Sequence, residues 1–233
     1  MTSLRLLSYN VHSLRGDPEA VYRVVRQARP DVVCVQEAPR FLRWRTRCAE
    51  LARNCGLVLV TGGRGAAGNL LLCQLGVQVD HAVDLLLTPM PGLHRRGAAV
   101  AVCRLRGQRF AVVGTHLDLD PAARQRHGRE LLDRLPGCGV PETVPLVVAG
   151  DINEEPSGQT WQMLSDRLVD TGVAAGRTEA TFPSVYPRRR IDGIFADPRV
   201  RVRSYTVADS PEVRLASDHR PVLAELELPA EAG

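Results

Sequence analysis

The sequence predicts a layered α/β sandwich, in which two mainly antiparallel sheets pack face to face and helices cover their outer faces. Eleven short β-like runs recur along the 233 residues, each bounded by Gly, Pro, Asp or Asn. Fewer segments have the apolar spacing of helices. Because a sheet must bury one face, strands in this number are expected to form two sheets that share a core.

The predicted strands are short runs of apolar and β-branched residues that stop at turn residues. The widest glycine-rich patch, residues 62–68, lies between two of these runs and predicts a loop. The strands are predicted at residues 4–8, 32–36, 57–61, 69–73, 77–87, 98–105, 109–115, 145–149, 191–196, 200–207 and 222–228.

Four segments have apolar residues at the spacings of three and four that are typical of an amphipathic helix. The first and third open with the dipeptide Asp-Pro, which combines an N-cap with proline at the first helical position. The fourth has the weakest pattern. The helices are predicted at residues 17–28, 41–55, 120–135 and 157–168.

The composition is that of an ordinary globular protein. Hydrophobic residues make up 44% of the chain and charged residues 24%, which argues against disordered and collagen-like classes. No repeat or Pro/Ser-rich linker divides the chain, so we expect one domain over residues 1–233. No apolar run reaches the roughly 18 residues that a membrane span needs, so we expect no membrane span and a cytoplasmic location. The residues do not indicate an oligomeric state, and a monomer is the default.

The charged residues and cysteines exclude little. A net charge of +4 permits a nucleic-acid partner without requiring one. All 30 basic residues are arginine, which we attribute to genome base composition rather than to a phosphate-binding role for the whole set. The six cysteines form no CxxC pair and mostly fall in apolar stretches, so we expect buried free thiols rather than a zinc site or disulfides.

Polar and ionisable side chains stand where the predicted strands begin or end. Singly, Glu37 or Asp151 is more typical of a turn or a helix cap than of a functional site. His116 alone is equally typical of a packed and of a catalytic histidine, and Asp192 could simply pair with Arg190. Strand ends at one edge of a sandwich can converge, however, so together these residues could build one pocket. The residues are Asn10, Glu37, His116, Asp151, Asn153, Asp192, Asp218 and His219.

The chemistry of this set suits a hard divalent cation and a phosphoester. Glu37, Asp218 and the Asn10 amide offer the oxygen ligands that Mg²⁺ prefers. The histidines lack the cysteines or the HExxH motif expected of a zinc site. Magnesium keeps several coordination positions open for waters and phosphate oxygens. Two histidines and an Asp pair could then supply proton transfer and charge stabilisation, which fits phosphoester hydrolysis.

Six motifs carry a resemblance to a known family. In chain order they are residues 8–12 (SYNVH), 35–37 (VQE), 115–117 (THL), 150–153 (GDIN), 190–192 (RID) and 217–221 (SDHRP). Together they resemble the endonuclease/exonuclease/phosphatase superfamily, which includes deoxyribonuclease I, abasic-site endonucleases, sphingomyelinases and inositol-polyphosphate phosphatases. The resemblance implies a four-layered α/β sandwich and a metal-dependent phosphoric ester hydrolase.

The resemblance also implies how the metal and the phosphate are held. Glu37, assisted by Asn10 and Asp218, is expected to bind Mg²⁺, or Mn²⁺ in its place, beside the scissile phosphate. Arg188 and Arg190 lie in the segment that leads to the RID motif, and we consider that they grip a substrate phosphate, with a solvated turn as the equal alternative.

The resemblance further implies roles in catalysis. Asp151 and Asn153 are expected to orient or deprotonate the attacking water, while Asp192 orients His219 as a carboxylate fixes an imidazole tautomer in other hydrolases. His116 is expected to donate hydrogen bonds to phosphoryl oxygens. The identity of the general base stays open.

The substrate is left open because the loops between the motifs, rather than the fold, select it. Mild basicity and intact motifs favour a magnesium-dependent phosphodiesterase or nuclease. Short loops and an aromatic content of only 4%, which argues against base-stacking platforms, favour instead a phosphatase or phosphodiesterase that acts on a small metabolite or lipid headgroup. A non-catalytic binding module is the least supported alternative, because no residue of the catalytic set is missing.

Overall fold

The computed structural model describes residues 2–230, which contain twelve strands and six α-helices. The strands are β1 (Thr2–Asn10), β2 (Val32–Gln36), β3 (Val58–Gly63), β4 (Asn69–Cys73), β5 (Val77–Leu86), β6 (Gly97–Leu105), β7 (Gln108–His116), β8 (Leu146–Asp151), β9 (Val169–Asp170), β10 (Asp192–Ala196), β11 (Arg201–Val207) and β12 (Val222–Leu228). The α-helices are α1 (Pro18–Ala28), α2 (Trp44–Asn54), α3 (Pro121–Arg134), α4 (Gln159–Arg167), α5 (Thr171–Ala174) and α6 (Pro211–Ala216).

The strands form two six-stranded sheets. One has the order β11-β12-β1-β2-β4-β3 and the other β5-β6-β7-β8-β10-β9. Each sheet contains a single parallel pair, β1 with β2 and β7 with β8, and every other pair is antiparallel. The predicted fold of two mainly antiparallel sheets is therefore confirmed.

Three buried clusters separate four layers. The central cluster joins the inner faces of both sheets, with Leu6 and Cys34 from one sheet and Val112 and Ile194 from the other. The second cluster packs α1, α2 and α6 on the outer face of the first sheet, and the third packs α3 and α4 on the second. This burial holds the strands rigid, so side chains at their ends are fixed in position.

Every strand and helix that the sequence predicts is present; β2, β4 and β12 have the predicted ends, and the ends of the others are shifted. The helix expected from residue 41 begins only at Trp44, because Arg43 adopts a left-handed conformation (φ 57°) that no helix interior tolerates. The sequence analysis missed β9, α5 and α6. These elements have two, four and six residues, too few to display a period of two or of 3.6.

The cysteines agree with one further expectation. All six cysteines are free thiols, and only Cys138 is not fully buried. Within residues 2–230, no helix combines the length and the apolar character that crossing a bilayer requires.

Candidate active site

The candidate active site lies at one edge of the sandwich, where strands of both sheets begin or end. β1 ends at Asn10, Glu37 follows β2, β7 ends at His116, β8 ends at Asp151, and β10 begins at Asp192. The parallel register of β7 and β8 sets His116 opposite Asp151, and the antiparallel register of β8 and β10 sets Asp192 on its other side. The strand ends that the sequence analysis singled out therefore converge.

Asp151 is the centre of the site and is almost completely buried, with 1% of its surface exposed. Its Oδ2 accepts a hydrogen bond from Asn10 Nδ2 at 3.0 Å, and its Oδ1 accepts one from the backbone N–H of Asn153 at 2.9 Å. The same Oδ2 lies 3.4 Å from His116 Nε2 and 3.6 Å from His219 Nε2. One carboxylate oxygen therefore faces both histidines.

The environment of Asp151 favours its protonated form more than water does. Burial raises the pKa of this carboxyl group, and the charge of Asp192 raises it further. The two histidines and the Asn10 amide oppose that rise. A carboxylate with a raised pKa is a better proton acceptor than an ordinary aspartate.

Asp192 and His219 form a buried pair. His219 Nδ1 lies 3.0 Å from Oδ2 and 3.1 Å from Oδ1 of Asp192, and the backbone N–H of His219 donates to Ser217 Oγ. Burial alone would lower the pKa of His219, but the charge and hydrogen bond of Asp192, aided by Asp151 and Asp218, raise it to about 10. The ring is therefore an imidazolium at neutral pH, with Nδ1–H given to Asp192.

His116 has a lowered pKa, in contrast to His219. Burial lowers its pKa to about 4, although the charge of Asp151 opposes the shift. Asn153 Nδ2 donates to the carbonyl oxygen of Leu117 at 3.0 Å, which fixes the orientation of the amide, and the same nitrogen lies 3.0 Å from His116 Nε2. Nε2 is then an acceptor, so His116 is neutral with its proton on Nδ1. Its expected role in binding phosphoryl oxygens stays a prediction.

Two site residues adopt the left-handed backbone conformation that non-glycine residues rarely occupy. Glu37 has φ 53° directly after β2, and Asn153 has φ 57° directly after β8. The backbone N–H of Ala38 donates to Gly68 O at 2.8 Å, which holds the turn at Glu37. Unfavourable backbone angles at two strand ends of one cleft are typical of functional positions.

The expected metal ligands are only partly assembled. Glu37 is half-buried and accepts from Asn10 Nδ2 at 3.2 Å and from Ser13 Oγ at 3.3 Å. Asp218 lies 3.6 Å from His12 Nδ1, and the described residues show no hydrogen bond between it and Glu37 or the Asn10 side chain. The Asn10 amide thus donates hydrogen bonds to both Glu37 and Asp151. The carboxylate oxygens of these two residues are hard donors that fit a divalent cation of the magnesium type.

A second trio also brings potential ligand atoms together. One atom each of Asp151, Asp192 and His219 lie within 4.8 Å of one another. Because Asp192 holds the proton of His219 Nδ1, this trio is better suited to proton transfer than to holding an ion.

The cleft in front of Asp151 has a volume of about 510 Å³. Its basic wall was missed by the sequence analysis, although the consecutive residues His94, Arg95 and Arg96 form a local cationic run. Arg96 is buried and its Nε donates to Asp118 Oδ2 at 3.1 Å, so Asp118 anchors an arginine of the wall. The lining residues are Ser13, Arg15, Glu37, Ala38, Arg40, Phe41, Ala67, His94, Arg96, His116, Leu119, Asp151, Asn153 and His219.

The two arginines proposed to grip phosphate lie elsewhere. Arg190 is buried and donates from both terminal nitrogens to the two oxygens of Asp170, at 2.9 and 2.6 Å, while its guanidinium stacks 4.9 Å from the Trp161 ring centroid. Both terminal nitrogens are thus committed to Asp170 in the interior, and we remove Arg190 from the phosphate-binding set. Arg188 is exposed and does not line the cleft.

Sequence reasoning also overlooked residues 40–47 (RFLRWRTR), in which Phe41 and Trp44 alternate with arginines. The aromatic content of the whole chain is only 4%, and such an average gives no sign of a local cluster. The structure sets Arg40 and Phe41 at the cleft itself.

The family of the chain is shown by comparison with known protein families. Residues 7–219 match the model of the endonuclease/exonuclease/phosphatase family. The chain belongs to this family. Comparison with curated protein sequences finds no significant match.

Solved structures of the family share the fold. An endonuclease/exonuclease/phosphatase from Bacteroides vulgatus has a TM-score of 0.83 at 20% identity, over 98% of this chain and 100% of that one. A mannosyl-6-phosphatase from Bacteroides thetaiotaomicron has 0.83 at 18%, over 97% and 100%. Danio rerio TDP2, solved with a single-strand DNA product, has 0.79 at 18%, also over 97% and 100%. These likenesses show the shared fold, and the family match over residues 7–219 makes the chain a phosphoesterase.

Proposed function

We propose that the protein is a Mg²⁺-dependent phosphodiesterase or nuclease. The observation that carries the proposal is Asp151, a buried carboxylate held between an imidazolium, His219, and a neutral imidazole, His116. Neighbouring groups whose pKa values are driven apart are typical of an acid and base that act together. The single domain over residues 1–233, the monomeric state and the cytoplasmic location stay predictions.

The site residues have separate roles in an in-line displacement at phosphorus. Asp151 accepts a proton from the attacking water, which Asn153 helps to orient through the amide that His116 and Leu117 hold in place. His219 directs Nε2–H towards the phosphoryl oxygens and stabilises the charge that develops there, while Asp192 keeps the ring protonated. Asp151 and His219 are therefore the residues on which turnover depends most.

Glu37, Asn10 and Asp218 are the residues that would hold the metal. Glu37 presents a half-buried carboxylate to the cleft, and Asn10 links it to Asp151. When bound, a divalent cation neutralises charge on the phosphate oxygens and orients them. Mn²⁺ offers the same preference for oxygen ligands.

A phosphatase or phosphodiesterase for a small metabolite or lipid headgroup is the second candidate. A cleft of about 510 Å³ is large enough for a sugar phosphate, and a mannosyl-6-phosphatase shares the fold. A non-catalytic binding module is not favoured, because Glu37, Asp151, Asp192 and His219 are all in place.

The test compares bis(p-nitrophenyl) phosphate, p-nitrophenyl phosphate and plasmid DNA, each with Mg²⁺ and with chelator. We expect Mg²⁺-dependent cleavage of the two diesters that falls by orders of magnitude in His219→Ala. His81→Ala removes an exposed histidine from β5 and should behave as the parent. Preference for the monoester would favour the second candidate, and equal turnover by His219→Ala would overturn the assignment of the site.

A further inference from the structure

A second groove opens from the catalytic cleft, and four of its ten lining residues are arginines; we call it the arginine groove. It shares Arg40, Phe41, Ala67 and His94 with the cleft, so the two surfaces are continuous. Its lining residues are Arg40, Phe41, Leu42, Arg43, Trp44, Arg64, Ala67, Leu86, His94 and Arg95. A ligand bound at Asp151 could therefore extend into it.

The charge of the arginine groove is not compensated. Its lining contains no acidic residue, and Asp84, which accepts a hydrogen bond from Thr61, borders it only beyond Arg64. Within the described part of the chain, the exposed side chains of Arg43, Arg64 and Arg95 make no ion pair or hydrogen bond. Three free guanidinium groups along one groove, from three separate segments, fit a ligand with several negative charges.

The N-terminus of α2 adds to this positive field. Arg43 is the N-cap residue, no side chain caps the helix, and no acidic residue lies in its first turn. The first N–H groups of an α-helix and its macrodipole favour an anion. The positive end of this eleven-residue helix therefore lies at the groove and adds to the positive charge of the arginines.

The groove also exposes apolar surface beside its cations. The side chains of Phe41 and Leu42 are 76% and 85% exposed. The Arg40 guanidinium lies 5.3 Å from the Phe41 ring centroid, and that of Arg45 lies 4.5 Å from the Trp44 ring centroid. Aromatic faces interleaved with arginines are the surfaces on which single-stranded bases stack while the backbone is held electrostatically.

We propose that the arginine groove binds the backbone of a single-stranded nucleic acid and leads one of its phosphates into the catalytic cleft. The proposal rests on the phosphodiesterase function proposed above and names its substrate class. A small phosphoester would occupy only the cleft and would leave Arg43, Arg64 and Arg95 without a ligand. A strand with consecutive phosphates fills both surfaces.

The test measures binding without turnover. A fluorescein-labelled twelve-residue oligothymidylate is titrated with the protein in EDTA, and its anisotropy gives the Kd at several salt concentrations. The groove variant carries Arg43→Gln, Arg64→Gln and Arg95→Gln. A matched control carries Arg106→Gln, Arg129→Gln and Arg201→Gln, which remove the same charge from exposed positions that line neither the groove nor the cleft.

We expect the groove variant to bind the oligonucleotide at least tenfold more weakly than the parent, and the control variant within twofold of it. Loss of three phosphate contacts should reduce the slope of log Kd against log salt by about 2, at about 0.7 per contact on a single strand. For the parent, affinity should rise with length from a dinucleotide to the twelve-residue strand. Circular dichroism spectra of both variants verify their folding.

Equal binding by the groove and control variants, or affinity of the parent that is independent of strand length, would overturn the proposal. Tighter binding of a duplex of the same length would assign the groove to double strands and reject the single-strand assignment. Hydrolysis of bis(p-nitrophenyl) phosphate by the parent separates the two proposals. If that activity is present without groove-dependent binding, only this inference fails. Groove-dependent binding without that activity would reject the hydrolase function and the strand's role as its substrate, and would leave only the binding by the groove.

Discussion

The substitution Asp192→Asn tests most directly the proposal that His219 acts as an imidazolium. Both oxygens of Asp192 lie within 3.1 Å of His219 Nδ1, and both residues are buried. Asparagine keeps the shape of the side chain but removes the charge that holds the proton on the ring. We therefore expect the fold to persist while His219 becomes neutral at pH 7.

The magnitude follows from the pKa of His219. The rise of this pKa from 6.5 to about 10 corresponds to roughly 5 kcal/mol in favour of the imidazolium. Asp192 is the largest contributor that raises this pKa, and burial opposes it. Loss of one positioned, charged donor costs roughly 2.7–4 kcal/mol in a transition state, so kcat should fall by about 10²–10³.

The assay is the initial rate of bis(p-nitrophenyl) phosphate hydrolysis with Mg²⁺ across the pH range, together with an NMR titration of the His219 ring. A raised pKa keeps the ring charged below about 10, so activity of the parent should decline as the pH rises through that value. In Asp192→Asn the decline should come at a lower pH. Asp197→Asn, at the residue that follows the other end of β10, is the control. A kcat within fivefold of the parent, or an unchanged His219 titration, would refute the reasoning.

The remaining predictions concern the metal and the core. Glu37→Gln should raise the Mg²⁺ concentration for half-maximal rate about tenfold, whereas Glu50→Gln, exposed on α2, should leave it unchanged. The measurement is a metal titration of initial rates. Equal titration curves for the two variants would exclude Glu37 as a ligand. Arg190→Met leaves Asp170 charged and buried, so it should lower the free energy of unfolding by about 3–5 kcal/mol, while Arg199→Met breaks an exposed pair worth at most about 1 kcal/mol. Urea denaturation measures both. Because Arg190 helps to lower the pKa of Asp170, the loss caused by Arg190→Met should shrink below about pH 4 as Asp170 becomes protonated, and a loss independent of pH would contradict that sign.

The sequence alone determined the layers and the position of the site along the chain. Runs such as those now seen in β2 and β8 are local patterns, and their turn residues mark where each strand stops. The polar residues Asn10, Glu37 and Asp151 stand directly at those ends, so their convergence follows once the strands form two sheets. Elements with two to six residues, such as β9 and α6, have no period to detect and were missed.

Only the tertiary structure decided which side chains are partners and which are charged. Arg190 is two residues from Asp192 in the chain, yet it pairs with Asp170, which β9 brings alongside β10. The two histidines have opposite protonation states because burial dominates at His116 and neighbouring carboxylates dominate at His219. Likewise, the arginine groove assembles residues from three separate segments. Burial, charge and contact at a residue depend on strand register and sheet packing, which join parts of the chain that are distant in sequence.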